Sequence, residues 1–506
     1  MTADTQKISQ LITEVRKQRG MTQADFAKRL GTSQSAVNRI ESGKQNLSLE
    51  MLGRISDVLN RELLRLNQAG AVNFRVEGGQ PLSGEITIKT SKNAAVALLA
   101  ASLLNRGTTR LKKMPRIEEV NRLIEVLTSI GVQVRWLAGN DIEIKPPAKL
   151  KLEQMDENAA RQTRSVLLFL GPLMHSFGSF TLPYAGGCNL GRRTIQPHLF
   201  ALEEFGLSVT ATRGRYHVNA RRKTPGEVVL YEMGDTVTEN ALMAAAKTDG
   251  LTKIHMASAN YMVQDLCFFL EQLGVKIEGI GTSRLSVQGK SHINKNVTFS
   301  PSEDPIEAMM FISLALTTNS AITIRRAPID FLELELLKLQ KMGARFELSK
   351  SYKSDNGQTN LVDIKMQKTD TLKALDEKIH PQPYPGLNID NLPFFVPIAA
   401  RAEGKTLIHD WVYENRAIYF TELNKLGANI ELLDPHRLHI YGPTSWRAGD
   451  VICPPALRPA VIVLIAMLAA EGTSTLRNIY SIARGYEDLA DRLNSLGAKI
   501  EILRDI

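Results

Sequence analysis

At 506 residues the chain is longer than one ordinary hydrophobic core supports, so two or three domains are expected. Hydrophobic residues (43%) and charged residues (23%) stand in globular proportion, and the longest apolar stretch, Pro459 to Ala470, is too short to span a bilayer. Three scattered cysteines (Cys188, Cys267, Cys453) exclude a disulfide framework and a metal cluster. The polar first ten residues lack a signal-peptide core, so a cytoplasmic protein with no membrane contact and no cofactor is expected.

The net charge is +9, of which +4 falls in residues 1–65, eleven Lys/Arg against seven Asp/Glu. Such a basic segment attracts phosphates. Ile8, Leu11, Ile12 and Val15 share one helical face that ends at Gly20. Thr22 to Asp25 reads as a cap with an acidic third residue, opening a second helix to Leu30. After Gly31, Ser33 caps a third helix through Val37 and Ile40, and Ser48 caps a fourth with Leu52, Ile55 and Leu59 inward. Short helices joined across a glycine turn make a helix-turn-helix. Val15 to Ala27 and Leu30 to Gly43 closely resemble the phage-repressor (Cro/xenobiotic-response) family. The resemblance implies a third helix in the major groove, with Gln34, Ser35, Asn38 and Arg39 at base edges and Gln23 and Lys44 on phosphates. Two half-sites, and hence a homodimer, follow from DNA binding; the alternative is a domain that makes only protein contacts.

Residues 66–72 read as a linker. Beyond them, one pattern recurs: a helix ends in an apolar residue and a glycine, then an alternating strand begins. The glycines are Gly131, Gly206, Gly274, Gly343, Gly427 and Gly497, spaced 75, 68, 69, 84 and 70 residues apart. A second set of turns falls between them, at Gly107, Gly178, Gly250, Asn319-Ser320, Gly404 and Gly472, each expected to supply the left-handed residue that ends a helix. The chain is thus an all-α domain followed by six β-α-β-α-β-β units, three per lobe, with a cleft between lobes where substrates usually sit.

Four places carry candidate chemistry. Lys92, in Ser91-Lys92-Asn93 before an apolar helix, is placed to hold an anion or is a solvated surface lysine. In Gly186-Gly187-Cys188-Asn189-Leu190-Gly191-Arg192-Arg193, two arginines favour the thiolate of a cysteine that is reactive or inert. The proline-rich loop from His380 delivers Asp390 as a working carboxylate or as a helix cap. Arg164, Arg458 and Arg484 lie near element junctions, where any one of them reads as a surface salt-bridge partner.

Together, Phe74-Arg-Val-Glu-Gly, Ser83-Gly-Glu-Ile-Thr-Ile, Lys92-Asn-Ala-Ala, the Gly-Gly-Cys loop, Tyr413-Glu-Asn-Arg416 and Ala483-Arg-Gly-Tyr-Glu487 resemble the bacterial UDP-N-acetylglucosamine enolpyruvyl transferases (1-carboxyvinyltransferases) over residues 73–506. The resemblance implies a two-lobe inside-out α/β barrel, with lobe one at 92–299 and lobe two at 73–91 and 300–506. It implies transfer of the enolpyruvyl group of phosphoenolpyruvate to the sugar 3-hydroxyl with release of phosphate, the first committed step toward peptidoglycan. Lys92, Arg193 and Arg484 then match positions holding phosphoenolpyruvate, Cys188 a proton donor, and Asp390 the base for the hydroxyl. Asn93, Arg164, Val412, Tyr413 and Arg458 match substrate-contacting positions.

Several residues depart from that pattern. Ala456 replaces a carboxylate in the family's Asp-Leu-Arg-Ala stretch. Glu118 replaces a lysine, which puts a reversed charge beside the trianion. Thr194-Ile195-Gln196, Gly234-Asp235-Thr236 and Ala259-Asn260-Tyr261-Met262 alter the nucleotide side. Two functions follow: an active transferase fused to a DNA-binding domain, or a transcription regulator whose barrel senses phosphoenolpyruvate or a nucleotide sugar.

Overall fold

The computed structural model of the chain describes residues 3–45, 47, 49–59, 72–186, 194–212, 214–221 and 223–504. Four helices open it: α1 (Ala3–Gln18), α2 (Gln23–Leu30), α3 (Gln34–Glu41) and α4 (Leu49–Leu59). The expected capping box is present at α2: the Thr22 hydroxyl accepts from the Asp25 N–H while the Asp25 carboxylate accepts from the Thr22 N–H. Gly31 turns the chain at φ 63°, and the Ser33 hydroxyl caps α3 by accepting from the Ala36 N–H. Ile12, Val15, Phe26, Leu30, Val37, Ile40, Ile55 and Leu59 form a core of their own. The Arg16 guanidinium pairs with Glu41 and donates to the Met21 carbonyl at 2.6 Å, tying α1 to α3. Ser48 and most of the expected linker lie outside the described residues; Val72, expected in that linker, already begins the strand Val72–Gly78.

Six separate sheets follow among the described residues. Strands from residues 109–145 with 297–299, from 179–220 and from 227–289 make three. Strands from 72–78 with 450–504, from 83–87 with 321–366 and from 404–442 make the others. The two groups share no sheet among the described residues. In each group an early strand pairs with a much later one: Ser83–Thr87 lies parallel to Ala321–Pro328, and Thr109–Leu111 parallel to Val297–Phe299. The two crossing segments run side by side, with the Ser91 N–H on the Ser302 carbonyl at 2.8 Å and the Asp304 N–H on the Lys89 carbonyl at 2.9 Å.

All six glycines of the first repeat adopt φ between 87° and 97°, a left-handed conformation that carries a side chain only at a cost. The second set divides. Gly250, Asn319, Gly404 and Gly472 are left-handed, whereas Gly107 and Gly178 are not. Gly107 is needed for close approach instead, since a Cβ there would sit 2.2 Å from the Lys295 carbonyl oxygen; nothing crowds Gly178. Helices α5 (Lys92–Ala101), Pro305–Thr317 and Leu457–Ala469 are apolar on nearly every side and buried along nearly their whole length, because sheets and other helices cover them all round.

The helix-turn-helix rests on this body near α6 (Glu118–Ser129). Arg19, just past α1, pairs with Glu118 at 2.5 Å. Arg116 donates to the carbonyls of Arg19 and Gly20 at 3.1 and 3.0 Å and lies 4.8 Å from the Trp136 ring centre. Arg29 reaches Asp488 at 3.7 Å.

Candidate active site and DNA-binding face

A cavity of about 630 Å³ opens between the two groups of sheets. It is lined by every described residue expected to meet substrate: Lys92, Asn93, Arg164, Asp390, Val412, Tyr413, Arg458 and Arg484. Cys188 and Arg193 lie outside the described residues. Cys267 and Cys453 are buried, and burial pushes both thiols up, the second to about 12, so neither is a ready thiolate.

The buried Ser91 hydroxyl caps α5 by accepting from the N–H groups of Asn93 and Ala94, which presents Lys92 at the first turn. Lys92 is not a solvated surface lysine. Its ammonium meets Glu119 at 2.7 Å, and Glu119 also accepts from Ser165 at 2.7 Å and Thr163 at 3.1 Å. Burial works to raise the Glu119 carboxyl, but Lys92, Ser165 and Arg484 prevail and hold it at about 2. The Asn93 amide donates to the Tyr261 hydroxyl at 3.1 Å, so Tyr261, in one of the altered stretches, orients a side chain that lines the cavity.

Across the cavity, Asp390 faces two guanidinium groups, Arg458 at 3.5 Å and Arg416 at 3.6 Å. Arg416 is almost fully buried, pairs with Asp410 at 2.6 Å and lies 4.4 Å from the Tyr413 ring centre. Arg458, which alone reads as a surface ion-pair partner, is 6% exposed and donates to the Tyr486 hydroxyl at 3.0 Å. Burial works against its charge, but Tyr486, Asp390 and Asp304 raise its pKa above the usual value. Arg164 donates to the Thr194 carbonyl at 2.8 Å.

Asp235 and Glu239 line a third side, and burial raises both carboxyls, Glu239 strongly. Asp235 accepts from Ser258 at 2.6 Å and Asn260 at 3.2 Å, whereas one Glu239 oxygen has no hydrogen-bond partner among the described residues. Ala456 lines the cavity, so the missing carboxylate is a change within the site. Glu118 is not. It lies off the cavity, 3% exposed, against Arg19 and Arg122, because successive helical residues point about 100° apart and Glu119 takes the inward place. The charge reversal expected beside a phosphate is therefore absent from the cavity. Sequence reasoning assigned no role to Glu119 or Arg416. Glu119 follows Glu118 in the chain and Arg416 closes Tyr413-Glu-Asn-Arg416, but only the fold brings Glu119 to Lys92 and Arg416 to Asp390.

On α3, Ala36, Val37 and Ile40 are buried while Gln34, Ser35, Asn38 and Arg39 are all exposed, together with Lys44 just beyond the helix. Gln23 is half-buried and donates to Glu41 at 2.9 Å.

The architecture is that of the enolpyruvyl transferases. The enolpyruvyl transferase NikO from Streptomyces tendae matches over 86% of this chain and 100% of its own, with TM-score 0.73 at 24% identity. An EPSP synthase from Acinetobacter baumannii matches over 86% and 100%, with TM-score 0.68 at 18% identity. The family model for EPSP synthase (3-phosphoshikimate 1-carboxyvinyltransferase) matches residues 76–493, and a helix-turn-helix model matches residues 12–66. A UDP-N-acetylglucosamine 1-carboxyvinyltransferase of Bradyrhizobium diazoefficiens is 35% identical over 85% of this chain and 98% of its own. That of Treponema denticola is 34% identical over 85% and 99%. The chain belongs to the EPSP synthase family of enolpyruvyl transferases and carries an N-terminal helix-turn-helix domain. No helix among the described residues is long and apolar enough to cross a membrane.

Proposed function

We propose that the chain transfers the enolpyruvyl group of phosphoenolpyruvate to the 3-hydroxyl of UDP-N-acetylglucosamine, releasing phosphate, and that its N-terminal domain binds DNA as a homodimer. The observation that carries the first part is a carboxylate, Asp390, held 3.5–3.6 Å from two buried guanidinium groups across the cavity from Lys92 and Arg484. Fixed cations suit a trianionic donor and the charge that moves onto its phosphate. Asp390 takes the proton of the acceptor hydroxyl as the oxygen bonds to C2 and C3 gains a proton. The tetrahedral adduct then gives up a C3 proton and phosphate together, restoring the double bond. Cys188 serves as proton donor and Arg193 as a further donor-binding cation, while Asn93, Val412 and Tyr413 hold the acceptor. The two groups of sheets act as lobes that exclude water on closing.

A second reading, a regulator whose cleft senses phosphoenolpyruvate or a nucleotide sugar, is favoured by Ala456 and by the carboxyls of Asp235 and Glu239 on the cavity wall. Phosphate release measured with both substrates, beside Cys188→Ser, separates the two. Release that needs both substrates and falls sharply in the variant supports the transferase. No release, from protein whose melting temperature rises with either ligand, supports the sensor.

A further inference from the structure

Adjacent carboxylates in the first turn of α6 point about 100° apart and so reach different partners. Glu119 grips Lys92 in the cleft at 2.7 Å, and Glu118 is gripped from outside by Arg19 of the helix-turn-helix domain at 2.5 Å. Both Arg19 and Glu118 are nearly inaccessible, with side chains 6% and 3% exposed. The second Glu118 oxygen takes Arg122 at 3.0 Å and Glu125 lies 3.8 Å from Arg19, so the socket is an alternating cluster of charges.

Two residues earlier, Arg116 reaches back to the carbonyl oxygens just past the C-terminus of α1, where a cation is favoured. Its own N–H donates to Glu487 at 3.3 Å, and Glu487 meets Lys89 at 3.1 Å, three residues from Arg484. The fit leaves no room for change, since a Cβ on Gly20 would lie 2.5 Å from the Trp136 Cβ. Yet the seam is not fully satisfied: Arg116 Nε and the Trp136 indole N–H are buried without an acceptor among the described residues. Such a seam shifts more readily than one in which every donor is paired. The domain also stands on both groups of sheets, on residues 116–136 of one and Asp488 of the other.

We propose that Arg19, a residue of the DNA-binding domain, is a positioning residue of the transferase cleft, and that donor binding and the seating of that domain are coupled through the first turn of α6. Arg19 touches no substrate. It fixes Glu118, and through the shared helical turn the Glu119 carboxylate against which Lys92 is aimed. A phosphoenolpyruvate that draws Lys92 away from Glu119 changes the load on the same turn, and coupling of this kind works equally in both directions.

The proposal rests on the cleft being the phosphoenolpyruvate site, and its test is chosen to fail separately from that reading. In the full-length chain, Arg19→Met is expected to raise KM for phosphoenolpyruvate roughly fivefold or more, with KM for UDP-N-acetylglucosamine nearly unchanged. Arg19→Lys, which keeps the charge without the forked geometry, is expected to restore part of the loss. Hydrogen exchange of the parent should show altered protection at residues 15–22 when phosphoenolpyruvate is added, and no such change in Arg19→Met. If the parent shows no turnover, which defeats the transferase reading alone, the same comparison is made on the calorimetric Kd for phosphoenolpyruvate. If Arg19→Met does not fold, Arg19→Lys carries the test with a smaller effect in the same direction. Equal KM values in parent and variant overturn the proposal, as does a change shared evenly by both substrates or exchange at residues 15–22 that ignores the ligand.

Discussion

Replacing Glu119 by Gln keeps the shape of the side chain and removes the charge opposite Lys92. The Glu119 carboxyl titrates at about 2 in the fold against 4.5 for the free group. At about 1.4 kcal/mol per tenfold in proton affinity, its ionised form contributes roughly 3 kcal/mol of stability. Both partners are shielded, with side chains 16% and 12% exposed, so solvent screening removes little of this. The sign follows from the lowered pKa. The contribution is complete above pH 4.5 and is lost as pH falls through about 2, leaving roughly 2 kcal/mol at pH 3.5. Urea unfolding of parent and Glu119→Gln, followed by tryptophan fluorescence, should therefore separate the two proteins by about 3 kcal/mol at pH 7 and about 2 at pH 3.5. A purely steric loss would be the same at both pH values. A difference below about 1 kcal/mol at pH 7, or one that does not shrink at the lower pH, would refute the charge argument.

Asp390→Asn should lower kcat about 100-fold or more while changing KM for phosphoenolpyruvate little, because it removes the proton acceptor and leaves the cations in place; steady-state phosphate release reads both. On the DNA side, Arg39→Ala should cost about 1–3 kcal/mol of binding to the preferred sequence and relax selectivity at one base position. Lys44→Ala should instead weaken all sequences alike and lower the salt dependence by about one phosphate contact. Binding isotherms on selected and scrambled duplexes at several salt concentrations distinguish them.

The repeat was legible because its punctuation is backbone chemistry: six glycines held near φ 90° are forced by a recurring turn and are visible as glycines. The turns at Gly107 and Gly178 were misjudged for the same reason, since glycine also marks close approach, as at Gly107, or nothing the structure demands, as at Gly178. The helix-turn-helix was equally readable from its caps, Thr22 with Asp25 and Ser33. The cleft was legible as a set of residues and not as a set of partners. Nothing in the spacing tells that Lys92 answers to Glu119, 27 positions away, or that Asp390 stands between Arg416 and Arg458. Glu118 was the instructive miss: a substitution compared at one position invites a reading at the active site, whereas one helical step turns the side chain toward a neighbouring domain.

The pairing of early strands with much later ones has a consequence for synthesis on the ribosome. Ser83–Thr87 must wait for Ala321–Pro328, and Val72–Gly78 for Gly472–Arg477 and Lys499–Arg504. At about 5–20 residues per second, the first wait lasts on the order of 10–50 s and the second longer still. Thr109–Leu111 waits in the same way for Val297–Phe299, whereas the sheets of residues 179–220 and 227–289 each close within their own stretch. The N-terminal helices, with a core of their own, close earliest. The helix-turn-helix head is thus finished while the transferase body is still half made, and the socket around Glu118 that receives it is built before the strands that complete the other half of the cleft.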